Sequence, residues 1–173
     1  MIIGADSTDR DEGNPFWRFS LTLYAETGVA DACLALQDRY NLDINLLLYG
    51  CYLANQGHLL ETGQASALDQ YCTEWRETVV RPVRALRRAL KHQAPDVAEK
   101  LLAAELVSER DQQAMIWRWH LQQSWQADAI AGDGELLRRN LARLIECENA
   151  PAAAVNDLSL QVAGLLPVTV PQR

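Results

Sequence analysis

Apolar positions along this chain recur three and four residues apart, and alternation of the kind a strand requires does not set in before the last twenty or so residues. Asn14 and Pro15 announce a first helix that carries Phe16, Trp17, Phe19, Leu21, Leu23 and Tyr24 and stops before Gly28. Val29, Cys33, Leu36 and Tyr40 mark a second, which Asn41 can close in a left-handed conformation. Asp43 then caps a third helix whose residues, Ile44 to Ala54, leave almost no polar face, so this helix is predicted at the centre of the fold. Gly57 ends it, and residues 58–65 read as a loop.

The most regular pattern follows. Leu68, Cys72, Trp75, Val79, Val83, Leu86 and Leu90 step by three and four without losing phase across Pro82, which predicts one proline-kinked helix over 67–92 with these side chains as a continuous seam. Pro95 opens a further helix running to about Trp125, with apolar residues on two sides and a second capping signal at Ser108 that would split it. Asp133 begins a last helix through Leu136, Leu137, Leu141, Leu144 and Ile145. The fold class is all-α: a single-domain bundle of five or six helices over 14–149, preceded by a disordered segment (1–13) and followed by a mostly irregular tail (150–173).

Composition changes this picture little. At 173 residues, with 49% hydrophobic and 23% charged side chains, the chain is long enough to bury its own core. A net charge of −7 disfavours nucleic acid and anionic membranes as partners. The hydrophobic third helix is about half the length a bilayer demands. The acidic start, with Asp6, Asp9, Asp11 and Glu12, does not resemble a secretion signal, so a cytoplasmic protein is expected. Cys33, Cys51, Cys72 and Cys147 are scattered and read as reduced core thiols, and His58, His92 and His120 share no ligand spacing, so neither metal nor cofactor is expected. Nucleophile-elbow, phosphate-loop and dinucleotide fingerprints are missing, which leaves an enzymatic role without positive signal.

Four segments, Phe16-Trp17-Arg18-Phe19-Ser20-Leu21, Ala32 to Asp38, Leu42 to Leu48, and Trp75-Arg76 through Arg87-Arg88, together resemble a bacterial family of short helical proteins of unknown function. The resemblance spans about residues 15–144 and implies a small cytoplasmic bacterial protein. It implies no activity, substrate or cofactor.

Two constellations stand out. Arg81, Arg84, Arg88 and Lys91 form a cationic stripe opposite the predicted seam; the plain reading is a solvated helix face, the sharper one an acidic partner or an acidic surface of the same chain. With the aromatic group of Trp117, Trp119, Trp125, Arg118 and His120, the stripe suggests a non-enzymatic helical interaction module that binds another protein or a second copy of itself; burial under the rest of the bundle is the alternative for the aromatics. The other constellation is polar. Arg76 and Arg87 border the seam, where Asp31, Asp38 or Asp43 could pair with them, and Asn45 sits near the start of an otherwise greasy helix. Asn45, Arg76 and Arg87, with Tyr49 and Tyr52, would then line a pocket for a small molecule or anion, in a binding protein or an enzyme; satisfied core groups are the plain reading of all five.

Overall fold

The computed structural model describes residues 14–125, 133–148 and 150–151. Six helices and no strand make up these residues. The predicted disordered segment at 1–13 and nearly all of the predicted tail fall outside them.

The first three helices follow their local signals. In α1 (Pro15–Tyr24) the Asn14 side chain accepts the Trp17 N–H at 3.1 Å. Helix α2 (Val29–Tyr40) starts after Gly28 at φ 86° and ends at Asn41, φ 55°, both left-handed conformations that an ordinary side chain resists. In α3 (Ile44–Asn55) the Asp43 carboxylate takes the Asn45 N–H at 3.0 Å, and every residue from Asn45 to Ala54 is buried.

The long helix, α4, has three consecutive pieces: Thr62–Trp75, a π turn at Arg76–Val80, and Arg81–Leu90. It begins earlier than the sequence signals predict, because Gln64 reaches back to accept the Glu61 N–H at 3.0 Å. It is continuous across Pro82, as expected, but the accommodation takes the form of the π turn just before the ring. There the Arg81 N–H bonds the Arg76 carbonyl five residues back.

That extra residue breaks the predicted seam. Inserting one residue rotates everything beyond it by about 100°, so Leu68 and Cys72 are buried as expected, but the buried positions then continue through Arg76 and Val80. Leu86, a member of the predicted seam, is 50% exposed.

Helix α5 (Pro95–His120) runs back along α4 as one uninterrupted element, with no break at Ser108. The Ser108 hydroxyl donates to the Glu105 carbonyl at 2.7 Å, and its own carbonyl accepts the Trp75 indole N–H at 3.0 Å. The helix ends at His120, so Trp125 lies in the segment beyond it. Helix α6 (Asp133–Cys147) buries Leu136, Leu137, Leu141, Leu144 and Ile145 against α3. Gly50 permits that close approach, since a Cβ there would sit 3.0 Å from Leu144 Cδ1. Asn140 on α6 clamps the 58–60 loop: it accepts the Leu60 N–H at 2.8 Å and donates to the His58 carbonyl at 2.9 Å. None of the helices so described is long and apolar enough to cross a membrane.

Candidate functional site

Helix α5 has two kinds of interior. Its last turns bury Ile116 and Trp119, whereas the turns before them bury Glu105, Ser108, Gln112 and Gln113 on the same face. Burying polar groups is costly unless each finds a partner, so their partners define the region.

Glu105, 4% exposed, lies between two guanidinium groups of α4: Arg84 Nε donates to it at 2.8 Å, and Arg87 Nε also donates to it. Burial opposes the Glu105 charge, but the two arginines outweigh it and hold its carboxyl below the usual range. Arg84 Nη2 also binds Glu109 at 2.6 Å. Burial pushes the Glu109 carboxyl up despite that arginine. The second half of α4 is therefore fastened to α5 largely by ion pairs, and Arg84 faces the neighbouring helix instead of solvent.

The remaining arginines of the predicted stripe are also engaged by the chain itself. Arg81 binds Glu77 and donates to the Asn41 carbonyl at 2.9 Å, and Arg88 binds Asp38 at the surface. Arg76, 7% exposed, donates to Asp69 at 2.8 Å and Thr73 at 3.2 Å and reaches Asp43 at 3.5 Å. Burial alone would lower its pKa, but the carboxylates of Asp43 and Asp69 outweigh that and raise it, while its Nε lies 3.5 Å from Glu77 without a hydrogen bond among the described residues. Of the three acids expected for Arg76 and Arg87, Asp43 meets Arg76, while Arg87 takes Glu105, a residue the sequence reading did not single out.

A chain of side-chain amides extends from Asp43. Gln112 Nε2 donates to the Asp43 carboxylate, and Asn45 Nδ2 donates to Gln112 Oε1 at 2.8 Å and to the Glu109 carbonyl at 3.4 Å. Gln113 Nε2 donates to Asn45 Oδ1 at 2.8 Å. Below Asp43, its own N–H is held by both oxygens of Glu148 at 3.0 and 3.1 Å. Burial, reinforced by the Asp43 charge, pushes the Glu148 carboxyl up to about 7.

This network backs onto a surface pocket of about 440 Å³ between α1, α3 and α5. Trp17, Leu21 and Tyr24 form one wall and Leu106 and Val107 the other, with Ile44 and Leu48 beneath them. Asp43, Asn45, Gln37, Ser20, Gln113, Arg84, Glu109 and Arg110 supply the polar lining. Ser20 Oγ and Gln113 Oε1 are shielded from solvent and have no hydrogen-bond partner among the described residues.

Of the five residues expected around a polar pocket, only Asn45 lines this one. Arg76 and Arg87 are consumed by ion pairs. Tyr49 and Tyr52 share the Asn45 face of α3 but lie one and two turns further along it, where they meet the last turns of α5 instead of the pocket. There Phe16 meets Tyr49 edge-on at 5.3 Å, and His120 is sandwiched between Trp117 (4.6 Å) and Trp125 (5.0 Å), with His58 stacked beyond Trp125 (5.7 Å). The Tyr49 hydroxyl and His120 Nδ1 are 2.9 Å apart. Burial, aided by His58, lowers the His120 pKa to about 4, so the ring is neutral. Trp117 and Trp125 pack on the core, and Arg118 stays exposed at the helix end.

The sequence reading missed Gln112 and Gln113, together with Trp17 and Tyr24 as pocket walls. A signal existed: stepping back from Trp119 through Ile116 by helical spacings reaches Gln112, Ser108 and Glu105, which places polar residues on the core-facing stripe.

Together these features define an all-helical single-domain protein with a ligand-sized pocket set against a buried polar network. The chain belongs to the family described as a protein of unknown function (DUF2390), which matches residues 15–116. Every residue lining the pocket falls inside that stretch, whereas Trp117, His120, Trp125 and α6 lie beyond it. No curated protein and no solved structure matches the chain.

Proposed function

We propose that this protein is a binding protein for a small, largely apolar, uncharged molecule held between α1 and α5. The observation that carries this reading is the pairing of an apolar-walled pocket with two buried polar atoms of its lining residues, Ser20 Oγ and Gln113 Oε1, that have no hydrogen-bond partner among the described residues. Unpaired buried polar atoms cost about 1–3 kcal/mol each, a penalty that a bound molecule can remove. The charged lining supports an uncharged occupant, since Asp43 and Glu109 balance Arg84 and Arg110.

The leading expectation from sequence, a protein-interaction surface built from the arginine stripe and the tryptophans, has less support than the pocket that is its alternative. Arg81, Arg84 and Arg88 are paired within the chain, and Trp117 and Trp125 pack on the core. The bacterial, cytoplasmic setting implied by the sequence motifs belongs to this reading, and the buried free thiols of Cys33, Cys51 and Cys72 suit a reducing compartment.

Titration of the isotopically labelled protein with neutral bicyclic aromatics tests the proposal. The expected result is movement of the Trp17, Leu48, Val107 and Gln113 amide signals with those of Trp125 unchanged, and loss of the response in Val107→Trp, which plugs the mouth. If no fragment moves the lining signals at millimolar concentration, the reading is wrong.

A further inference from the structure

The amide chain behind the pocket has a direction. A carboxylate only accepts hydrogen bonds, and Asp43 already takes the Asn45 N–H and faces Arg76. Gln112 must therefore turn its NH₂ toward Asp43, which leaves its oxygen for Asn45. Asn45 must in turn present its NH₂ to that oxygen, an orientation that the Glu109 carbonyl at 3.4 Å enforces independently. The Asn45 oxygen then faces Gln113, which can satisfy it only by donating its own NH₂. At the end of the series, Gln113, a lining residue of the pocket, is left with its carbonyl oxygen shielded just behind the pocket surface and without a hydrogen-bond partner among the described residues. Ser20 imposes no such polarity, because a hydroxyl both donates and accepts.

We propose that the Asp43–Gln112–Asn45–Gln113 relay makes the pocket selective for ligands that carry an N–H or O–H donor on an otherwise apolar, uncharged frame. The donor meets Gln113 Oε1 while the frame lies between Trp17 and Leu106. A ligand of the same shape without a donor leaves that oxygen unpaired, and one that presents an acceptor repels it. This inference rests on the pocket reading above and specifies the chemistry of its occupant.

Indole and benzofuran test it, being nearly equal in size and differing in whether the five-membered ring carries N–H or O. Their dissociation constants follow from the same amide signals. Indole is expected to bind about tenfold more tightly than benzofuran, the effect of one added hydrogen bond at a buried acceptor. Gln113→Leu removes the acceptor while keeping the bulk, and is expected to bring the two ligands within about twofold of each other. Asp43→Asn retains a good helix cap but can donate as well as accept, so it unlocks the relay and should also erase the preference. Asp43→Asn carries a structural risk because of Arg76; Gln113→Leu leaves the Asp43–Arg76 contact untouched, and the wild-type comparison needs no variant. Equal binding of indole and benzofuran to the wild-type protein overturns the polarity inference and leaves the pocket standing. A preference that survives Gln113→Leu overturns it as well. If neither compound moves a lining signal, the pocket reading fails and this inference falls with it.

Discussion

The two halves of α5 pack against the same central helix in opposite ways. Toward its C-terminus, Ile116, Trp119 and the Trp117–His120–Trp125 stack fill the space around Tyr49 with rings and hydrocarbon. Nearer its N-terminus, Glu105, Gln112 and Gln113 meet Arg84, Arg87, Asp43 and Asn45, and a pocket opens beside them. Close-packed apolar groups gain stability from burial, whereas a buried polar network at best recovers its desolvation. The first arrangement holds the bundle together, and the second tolerates an opening and leaves Ser20 Oγ, Gln113 Oε1 and Arg76 Nε without a hydrogen-bond partner among the described residues. Places where a sequence departs from what stability alone would select are the places to look for function.

Truncation should expose the contrast most strongly. Trp119→Ala in the filled half is expected to cost about 3–5 kcal/mol in denaturant unfolding. In the polar half, Glu105→Leu strands Arg87 and half of Arg84 and is expected to cost roughly 3 kcal/mol. Converting the cluster together, with Arg84→Met and Arg87→Met added, should recover most of that loss, because apolar groups of similar volume replace a buried ionic cluster at little or no cost. A triple variant no more stable than Glu105→Leu would mean that the ion pairs stabilise the fold outright.

Acidity separates the halves with opposite signs. His120 is held neutral in the folded protein down to about pH 4, whereas the unfolded chain protonates it near 6.5. The unfolded state thus binds the extra proton between those values, and stability falls as pH drops through that window. Glu148 does the reverse: its folded pKa of about 7 lies above the ordinary 4.5, so the folded state holds the extra proton and stability falls as pH rises from 4.5 past 7. In thermal melts across pH, Glu148→Gln is expected to raise stability above pH 7 relative to wild type and to converge with it near pH 4.5. His120→Gln should flatten the acid limb. If Glu148→Gln destabilises equally at every pH, the buried carboxylate is not carrying the cost assigned to it.

The smallest effect concerns the register of α4. Leu86→Ala is expected to change stability by less than about 0.5 kcal/mol, as at other half-exposed positions, while Val80→Ala should cost about 1 kcal/mol or more. Equal costs would restore the continuous seam that the spacing predicts.

Much of the helical framework was legible in the residues alone. Asn14 with Pro15, Gly28, Asn41, Asp43 and Gly57 set helix ends through contacts within a few residues, and the greasy run of α3 announced its central place. Asn45 was recognisable as an unusual polar group in that run. Its companions were not: Gln112 and Gln113 lie 67 and 68 residues away, and the Arg87 partner, Glu105, is separated from it by 18. Whether such groups meet depends on how each helix is rotated about its axis. One added residue in the π turn before Pro82 reset that rotation for everything up to Leu90, turned Leu86 outward and directed Arg84 at α5. Local chemistry decided where helices begin and stop; only their docking decided which faces are inside, because a face is defined by the neighbour that covers it.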